Sequence, residues 1–216
     1  MLLFAKGNKE DKTIYLTFDD GPNPYVTLEL LKLLDNFQIK AAFFLVGKNI
    51  KSFPNIVKEI YKRGHIIGNH SFSHSLFFSF LAQDRQRRDL EKTEGLLKDL
   101  GIPTPKYLRP PNAIWNKKSA QHFNDYTVVG VNHYILDNLI FSPAFLAQRL
   151  LISVRNRGGG ILVLHDGVHP LIEPTRKVLV KALETFISKA LSENYKFSNL
   201  DALTMSNVLI EKRSQQ

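Results

Sequence analysis

The sequence predicts a single α/β domain whose parallel sheet curls toward a barrel, and three observations predict it. Short β-rich runs alternate with helical ones from end to end of the 216 residues, the order that lays successive strands parallel. About seven such units within one chain favour barrel-like closure over an open sheet. The residues able to do chemistry, Asp19, Asp20, His70, Arg109 and His165, all fall at the C-terminal ends of expected strands, where folds of this class keep their sites.

The elements follow in order. Residues 13–18, Thr-Ile-Tyr-Leu-Thr-Phe, read as a strand stopped by Asp-Asp-Gly-Pro, a strong turn signal. Val26, Leu30, Leu33 or Leu34, and Phe37 recur at helical spacing. Residues 41–46 form a nearly all-apolar run, the pattern of a strand buried on both faces. A helix is expected next, with Ser52 as N-cap, Pro54 in its first turn and Gly64 just past its end. Residues 65–70 read as a third strand, and 81–100 as a long amphipathic helix stopped by Gly101. Short apolar runs at 107–109, 127–131, 161–164 and 195–198 read as further strands, with helical stretches between most of them. No internal repeat, low-complexity segment or linker interrupts the pattern.

Composition bounds the chemistry. An apolar fraction of 44% and a charged fraction of 23% are ordinary for a soluble globular chain. Lys and Arg number 29 against 20 Asp and Glu, a net charge of +9. That surplus favours an anionic partner, whether nucleic acid, a membrane surface or an acidic cell-wall polymer, or is a scatter of solvated basic residues. No basic patch is interleaved with exposed aromatics, so nucleic acid is not expected. The absence of cysteine excludes disulfides, thiolate ligands and a Cys nucleophile. The start, MLLFAKGNKEDK, offers only about four apolar residues before charge sets in, too few for a signal peptide. Nothing approaches the roughly 20 apolar residues of a membrane span. The chain is therefore expected to be cytoplasmic as it stands, or exported with a leader missing. Its oligomeric state is not legible.

Four segments carry candidate chemistry. In Thr17-Phe18-Asp19-Asp20-Gly21-Pro22, adjacent carboxylates point in different directions, so one can ligate a metal while the other faces a substrate; a solvated turn has the same composition. In His70-Ser71-Phe72-Ser73-His74, the i, i+4 spacing puts both rings on one face of a helical turn. With one carboxylate they make a three-ligand site that keeps positions open for water and substrate. His65 reads as a core or strand histidine. In Arg109-Pro110-Pro111-Asn112 the prolines stiffen the backbone, which suits an arginine orienting a carboxylate and a backbone N–H meeting an oxyanion. In the run 161–167 an apolar strand delivers His165, whose pKa its surroundings can tune for acid catalysis near neutral pH.

Together, TFDDGP, GNHSFSH, LRPPN and LVLHDG, in this order, resemble four of the five motifs of the NodB-homology polysaccharide deacetylases, carbohydrate esterase family 4. The late ENYKFSNLDAL is similar to that family's last strand and closing helix. The resemblance implies a distorted (β/α)7-type barrel over residues 13–211 behind a short extension, 1–12, and removal of N-acetyl groups from N-acetylglucosamine units. It implies Asp20, His70 and His74 as ligands of a divalent metal, usually zinc, with cobalt, nickel, manganese or iron as alternatives. It implies Asp19 as general base steered by Arg109, and His165 as general acid. The expected partner is an N-acetylated glycan, peptidoglycan or chitin-type, with an anionic wall polymer suited to the positive charge.

Two segments depart from that family. Asn112-Ala113 stands where an aromatic residue and glycine are common, so the N–H near Pro111 and Asn112 survives but an aromatic wall does not; Trp115 is a substitute stacking residue or a core residue. In the remaining motif Asn132 stands where the first Asp is expected, and Asp137 fits only with an insertion. If Asn132 replaces that Asp, His165 loses its charge partner and its pKa falls. A glycan-binding pseudoenzyme is therefore the alternative to a hydrolase, and a non-haem iron oxidase a third reading.

Overall fold

A computed structural model describes residues 2–3, 10, 12–113, 123–167 and 173–203. The strands are β1 (Leu2–Leu3), β2 (Thr13–Asp19), β3 (Ala42–Leu45), β4 (Ile66–Asn69), β5 (Tyr107–Leu108), β6 (Thr127–Val129), β7 (His133–Tyr134), β8 (Gly160–His165) and β9 (Lys196–Ser198). The helices are α1 (Thr27–Asn36), α2 (Gly47–Ser52), α3 (Pro54–Lys62), α4 (Gln83–Asp99), α5 (Pro143–Arg157) and α6 (Glu173–Ser192).

All pairings are parallel, in the order β1-β6-β5-β4-β3-β2-β8-β7. Seven strands, β2 to β8, make the body of the sheet, β1 extends it beyond β6, and β9 pairs with the first residues of β2. The sheet curls into a half-barrel. Arg109, just past β5, meets Asp19 at the end of β2 at 2.6 Å, although β4 and β3 intervene. In a flat sheet three strand spacings of about 4.8 Å would separate them by about 14 Å, beyond an arginine's reach. Only a curled sheet closes that gap.

The period of two along each strand sorts the residues between two faces. On β2, Ile14, Leu16 and Phe18 join the large cluster under the helices, with Leu30 and Leu34 of α1 and Leu150 and Val154 of α5. Tyr15 faces the other way, into a small interior cluster with Ala42, Phe44, Val129 and Ile161. Thr17 and Asp19 follow Tyr15 on that concave face. The outer cluster holds the fold together, and truncating a buried leucine such as Leu30 to alanine is expected to cost about 2–5 kcal/mol.

The helix ends follow local chemistry. Gly64 and Gly101 stop α3 and α4 in the left-handed region, at φ 72° and 75°, where the missing Cβ removes the steric cost. Ser52 differs from expectation: it ends α2, and α3 starts at Pro54 behind Phe53 with no side-chain cap. Proline at the first position lacks one of the N–H groups a cap would satisfy.

Candidate active site

The chemistry gathers at the C-terminal ends of β2, β4, β5 and β8, around a cavity of about 210 Å³. Asp19, Asp20, His70, His74, Asn112 and His165 line it, with Leu76, Tyr134 and Asn138 at its edge.

Asp20 leaves β2 in a left-handed conformation, φ 72°, and Asn49 Nδ2 holds its carbonyl at 2.7 Å. Two glycines allow the surrounding chain to close in. A Cβ on Gly167 would lie 2.1 Å from Asp20 Cβ, and one on Gly21 would lie 2.6 Å from the Asp166 carboxylate oxygens. The Asp-Gly pairs ending β2 and β8 thus interlock, Gly21 making room for the Asp166 carboxylate and Gly167 for the Asp20 Cβ and backbone carbonyl. Asp166 itself is buried and accepts from Thr27 Oγ1 at 2.6 Å.

The segment from His70 to His74 is an irregular loop and not the expected helical turn. Ser71 and His74 adopt positive φ, 66° and 51°, a departure of the kind that clusters at functional sites. Side chains hold it there. Asn69 Oδ1 accepts from Ser71 N at 2.9 Å, Ser71 Oγ from His74 N at 3.1 Å, and Asp89 Oδ2 from Phe72 N and Ser73 N at 2.9 and 3.2 Å. Asn69 Nδ2 in turn donates to Tyr126 Oη at 3.0 Å. The rings still converge, but through this scaffold.

Asp20 Oδ1 lies 3.3 Å from His70 Nε2 and 3.0 Å from His74 Nε2. Ligand atoms of all three residues fall within 4.8 Å of one another. His70 Nδ1 lies 2.6 Å from the Arg109 carbonyl. A carbonyl only accepts, so Nδ1 carries a proton, and in the neutral ring Nε2 turns its lone pair toward Asp20. Asp20 Oδ1 is buried without a hydrogen-bond partner. An imidazole lone pair facing a carboxylate oxygen repels it unless a cation lies between them. Two imidazoles and one carboxylate suit a divalent metal, with positions left for water and substrate; the outward Nδ1–H bond is the usual second support of such a ligand.

Beside the triad, Arg109 is wholly buried. It donates to Asp19 Oδ1 at 2.6 Å and Thr17 Oγ1 at 2.9 Å, and more weakly to the Val129 and Gly130 carbonyls. Its guanidinium lies 4.2 Å above the Phe44 ring. Burial pulls its pKa down and Asp19 opposes that. The remaining oxygen, Asp19 Oδ2, lies 4.0 Å from His70 Nε2.

Across the cavity, His165 Nδ1 meets Asp137 Oδ1 at 2.7 Å, and its backbone N–H donates to Asp137 Oδ2 at 3.0 Å. Burial alone would lower the His165 pKa. The Asp137 carboxylate outweighs burial and, with Asp19 and Asp20 adding, pushes it up to about 9. Asn132 does not take this place. Its side chain accepts from Ile161 N at 2.9 Å, against Gly160. Of the two positions the sequence left open, Asp137 is the one that meets His165. The short strand β7 pairs with β8, and the turn after it carries Asp137 back over His165. Tyr134, also unforeseen, sets its ring edge-on to His165 at 6.2 Å.

Asn112 reaches the cavity wall at φ 59°, whereas Pro111 is buried behind it and does not line the cavity. Trp115 lies outside the described residues.

Residues 6–131 match the family model described as polysaccharide deacetylase. A peptidoglycan-N-acetylglucosamine deacetylase of Bacillus cereus is 32% identical over 187 residues, covering 82% of this chain and 67% of that protein. A chitooligosaccharide deacetylase of Rhizobium leguminosarum bv. trifolii is 29% identical over 168 residues, 77% of each. Among solved structures, the Bc1960 peptidoglycan N-acetylglucosamine deacetylase superposes with a TM-score of 0.79 at 28% identity, covering 92% of this chain and 90% of that one. With more than half its length matched by the family model and this relative spanning most of the rest, the chain belongs to the polysaccharide deacetylase family.

Proposed function

We propose that the chain is a metal-dependent hydrolase that removes N-acetyl groups from N-acetylglucosamine-containing glycans, peptidoglycan or chitin-type. One observation carries the reading. Two ion pairs, Asp19 with Arg109 and His165 with Asp137, bring Asp19 and His165, neighbours across β2 and β8, into the cavity that Asp20, His70 and His74 line. The named relatives act on peptidoglycan and chitooligosaccharides, which supports an N-acetylated glycan as substrate.

A divalent cation on Asp20, His70 and His74, zinc being the expected one, supplies Lewis acidity, lowering the pKa of water and polarising the acetamide carbonyl. The protein does the rest. Asp19 Oδ2 accepts the proton of the attacking water, while Arg109 fixes the carboxylate through Oδ1. The backbone N–H at Asn112 donates to the oxyanion, a contact worth about 3–4 kcal/mol where such donors have been removed. His165, held protonated by Asp137, gives its proton to the nitrogen as the C–N bond breaks. Acetate and a free amine leave, Asp19 gives its proton up to solvent, and His165 takes one back.

The alternative of a binding protein without turnover loses its main motive, because Asp137 supplies the carboxylate that Asn132 lacks. Oxidation at iron has no use for a base and an acid in one cavity. The test is acetate release from N-acetylglucosamine oligomers and from peptidoglycan, after chelation and after readdition of zinc. Metal-restored release is expected. A metal-loaded protein that frees no acetate from any of these substrates would overturn the proposal.

A further inference from the structure

Two stretches that reach the catalytic cavity, through Leu76 and Tyr134, carry exposed apolar side chains. One is the stretch after the His70–His74 loop, where Leu76, Phe77 and Phe80 are 67–70% exposed. The other follows β7, where Leu136, Leu139, Phe141 and Phe145 are 50–71% exposed. Leu76 and Tyr134 line the cavity itself. Tyr134 also opens a neighbouring groove of about 420 Å³, walled by Leu136, Leu139, Phe145 and Arg149. A soluble protein seldom displays so many large apolar groups in one place without a partner for them.

We propose that this rim seats the protein on an anionic lipid bilayer, with the catalytic mouth facing the surface. Charge selects this occupant. The chain carries a net +9. Residues 75–83 hold no charged side chain, and 131–148 hold one, Asp137, which is buried against His165. The rim therefore shows no exposed carboxylate to anionic headgroups. On α5, Phe145, Arg149 and Ile152 follow at i, i+4 and i+7 on one exposed face, an apolar stripe with a guanidinium in it, the arrangement that lets a cation reach headgroups while its neighbours enter the acyl boundary.

Two other occupants fit less well. A glycan chain stacks on aromatic faces, but Leu76, Leu136, Leu139 and Ile152 are aliphatic. A second copy would bring two chains of net +9 face to face. A bilayer brings any acetylated glycan tethered to the lipid up to the mouth, and attachment needs no turnover, so this inference stands or falls separately from the deacetylase reading.

The experiment is flotation of the full chain with vesicles of phosphatidylcholine, alone or mixed in about equal parts with phosphatidylglycerol, at low and high salt. Binding to the anionic vesicles, weakened by salt, is expected. The double variant Phe141→Ser, Phe145→Ser should bind them at least about tenfold more weakly, since each ring loses its burial in the interface. Its rate of acetate release from a soluble oligomer should match that of the unaltered chain. No binding to anionic vesicles at low salt overturns the proposal. So does equal binding by the double variant, which would mean attraction by charge alone. Concentration-dependent dimerisation that the double variant abolishes, without vesicle binding, assigns the rim to a second copy and overturns it too.

Discussion

Two histidines at opposite ends of the sheet, one half-buried and one buried, are driven in opposite directions. His165, ending β8, is pushed up to about 9 because Asp137 outweighs the burial that opposes its charge. His65, in the turn before β4, is pushed down to about 4, first by burial and then by Lys40 and Arg63, with Asp35 opposing. Its Nδ1 accepts the Ala41 N–H at 3.2 Å, as only an unprotonated nitrogen does, and its ring stands edge-on to Phe43. Burial alone neutralises an imidazole. What makes the C-terminal end chemical is therefore not its histidines but the carboxylates brought to them.

The sharpest way to break that comparison is to take one charge from the C-terminal end. Asp19→Asn keeps an oxygen for Arg109 but cannot take a proton, and a general base contributes about 10²–10⁴-fold. Acetate release should fall about 10³-fold while zinc content stays the same. A rate within tenfold of the parent would remove Asp19 from the role of base.

Asp137→Asn comes next. Without its nearest counter-charge His165 keeps only the weaker pull of Asp19 and Asp20 against burial, so its pKa should drop from about 9 toward the ordinary 6.5. The acid works only while protonated, so activity is lost as pH rises through that pKa. The alkaline limb of the pH–rate profile should move down accordingly, with about a 10²-fold loss at neutral pH. An unmoved limb would show that Asp137 does not tune the acid.

A smaller effect probes the scaffold beneath the metal ligands. Asp89→Ala frees two backbone N–H groups of the His70–His74 loop. Supporting contacts of this kind are worth about 10–100-fold in metal affinity, and the half-buried setting points to the lower end. Competition with a chromophoric chelator should show about tenfold weaker zinc binding. Unchanged affinity would mean that Asn69 and Ser71 hold the loop unaided.

Much of this was legible in the residues alone. The alternation of strands and helices, and the placement of Asp19, Asp20, His70, Arg109 and His165 at strand ends, follow from local pattern. Less legible was anything set by how two segments meet. The i, i+4 spacing of His70 and His74 suggested a helical turn, but their loop is shaped by Asn69, Ser71 and Asp89, and Asp89 lies on α4. Asn132 occupied the expected position for His165's partner, yet the pairing of β7 with β8 brings Asp137 there. Nothing local singled out Asp166, and its bond to Thr27 joins residues 139 apart. Contacts of that range leave no local trace in the chain.

The gentlest perturbation belongs to the other end of the sheet. His65→Gln keeps an acceptor for the Ala41 N–H but cannot titrate. In the parent the folded pKa, about 4, lies below the unfolded 6.5, so between those values the unfolded chain binds the extra proton. Stability is then full above 6.5 and declines as pH falls toward 4. From about pH 7.5 to about pH 5.5 the parent should lose about 1.4 kcal/mol more than the variant. Urea midpoints at the two pH values measure this, since the carboxylates common to both proteins cancel. The rate of acetate release at neutral pH should stay within about twofold of the parent, as no reacting group touches this end. Identical pH dependence in the two proteins would mean that His65 is charged or free in the fold, and the contrast with His165 would dissolve.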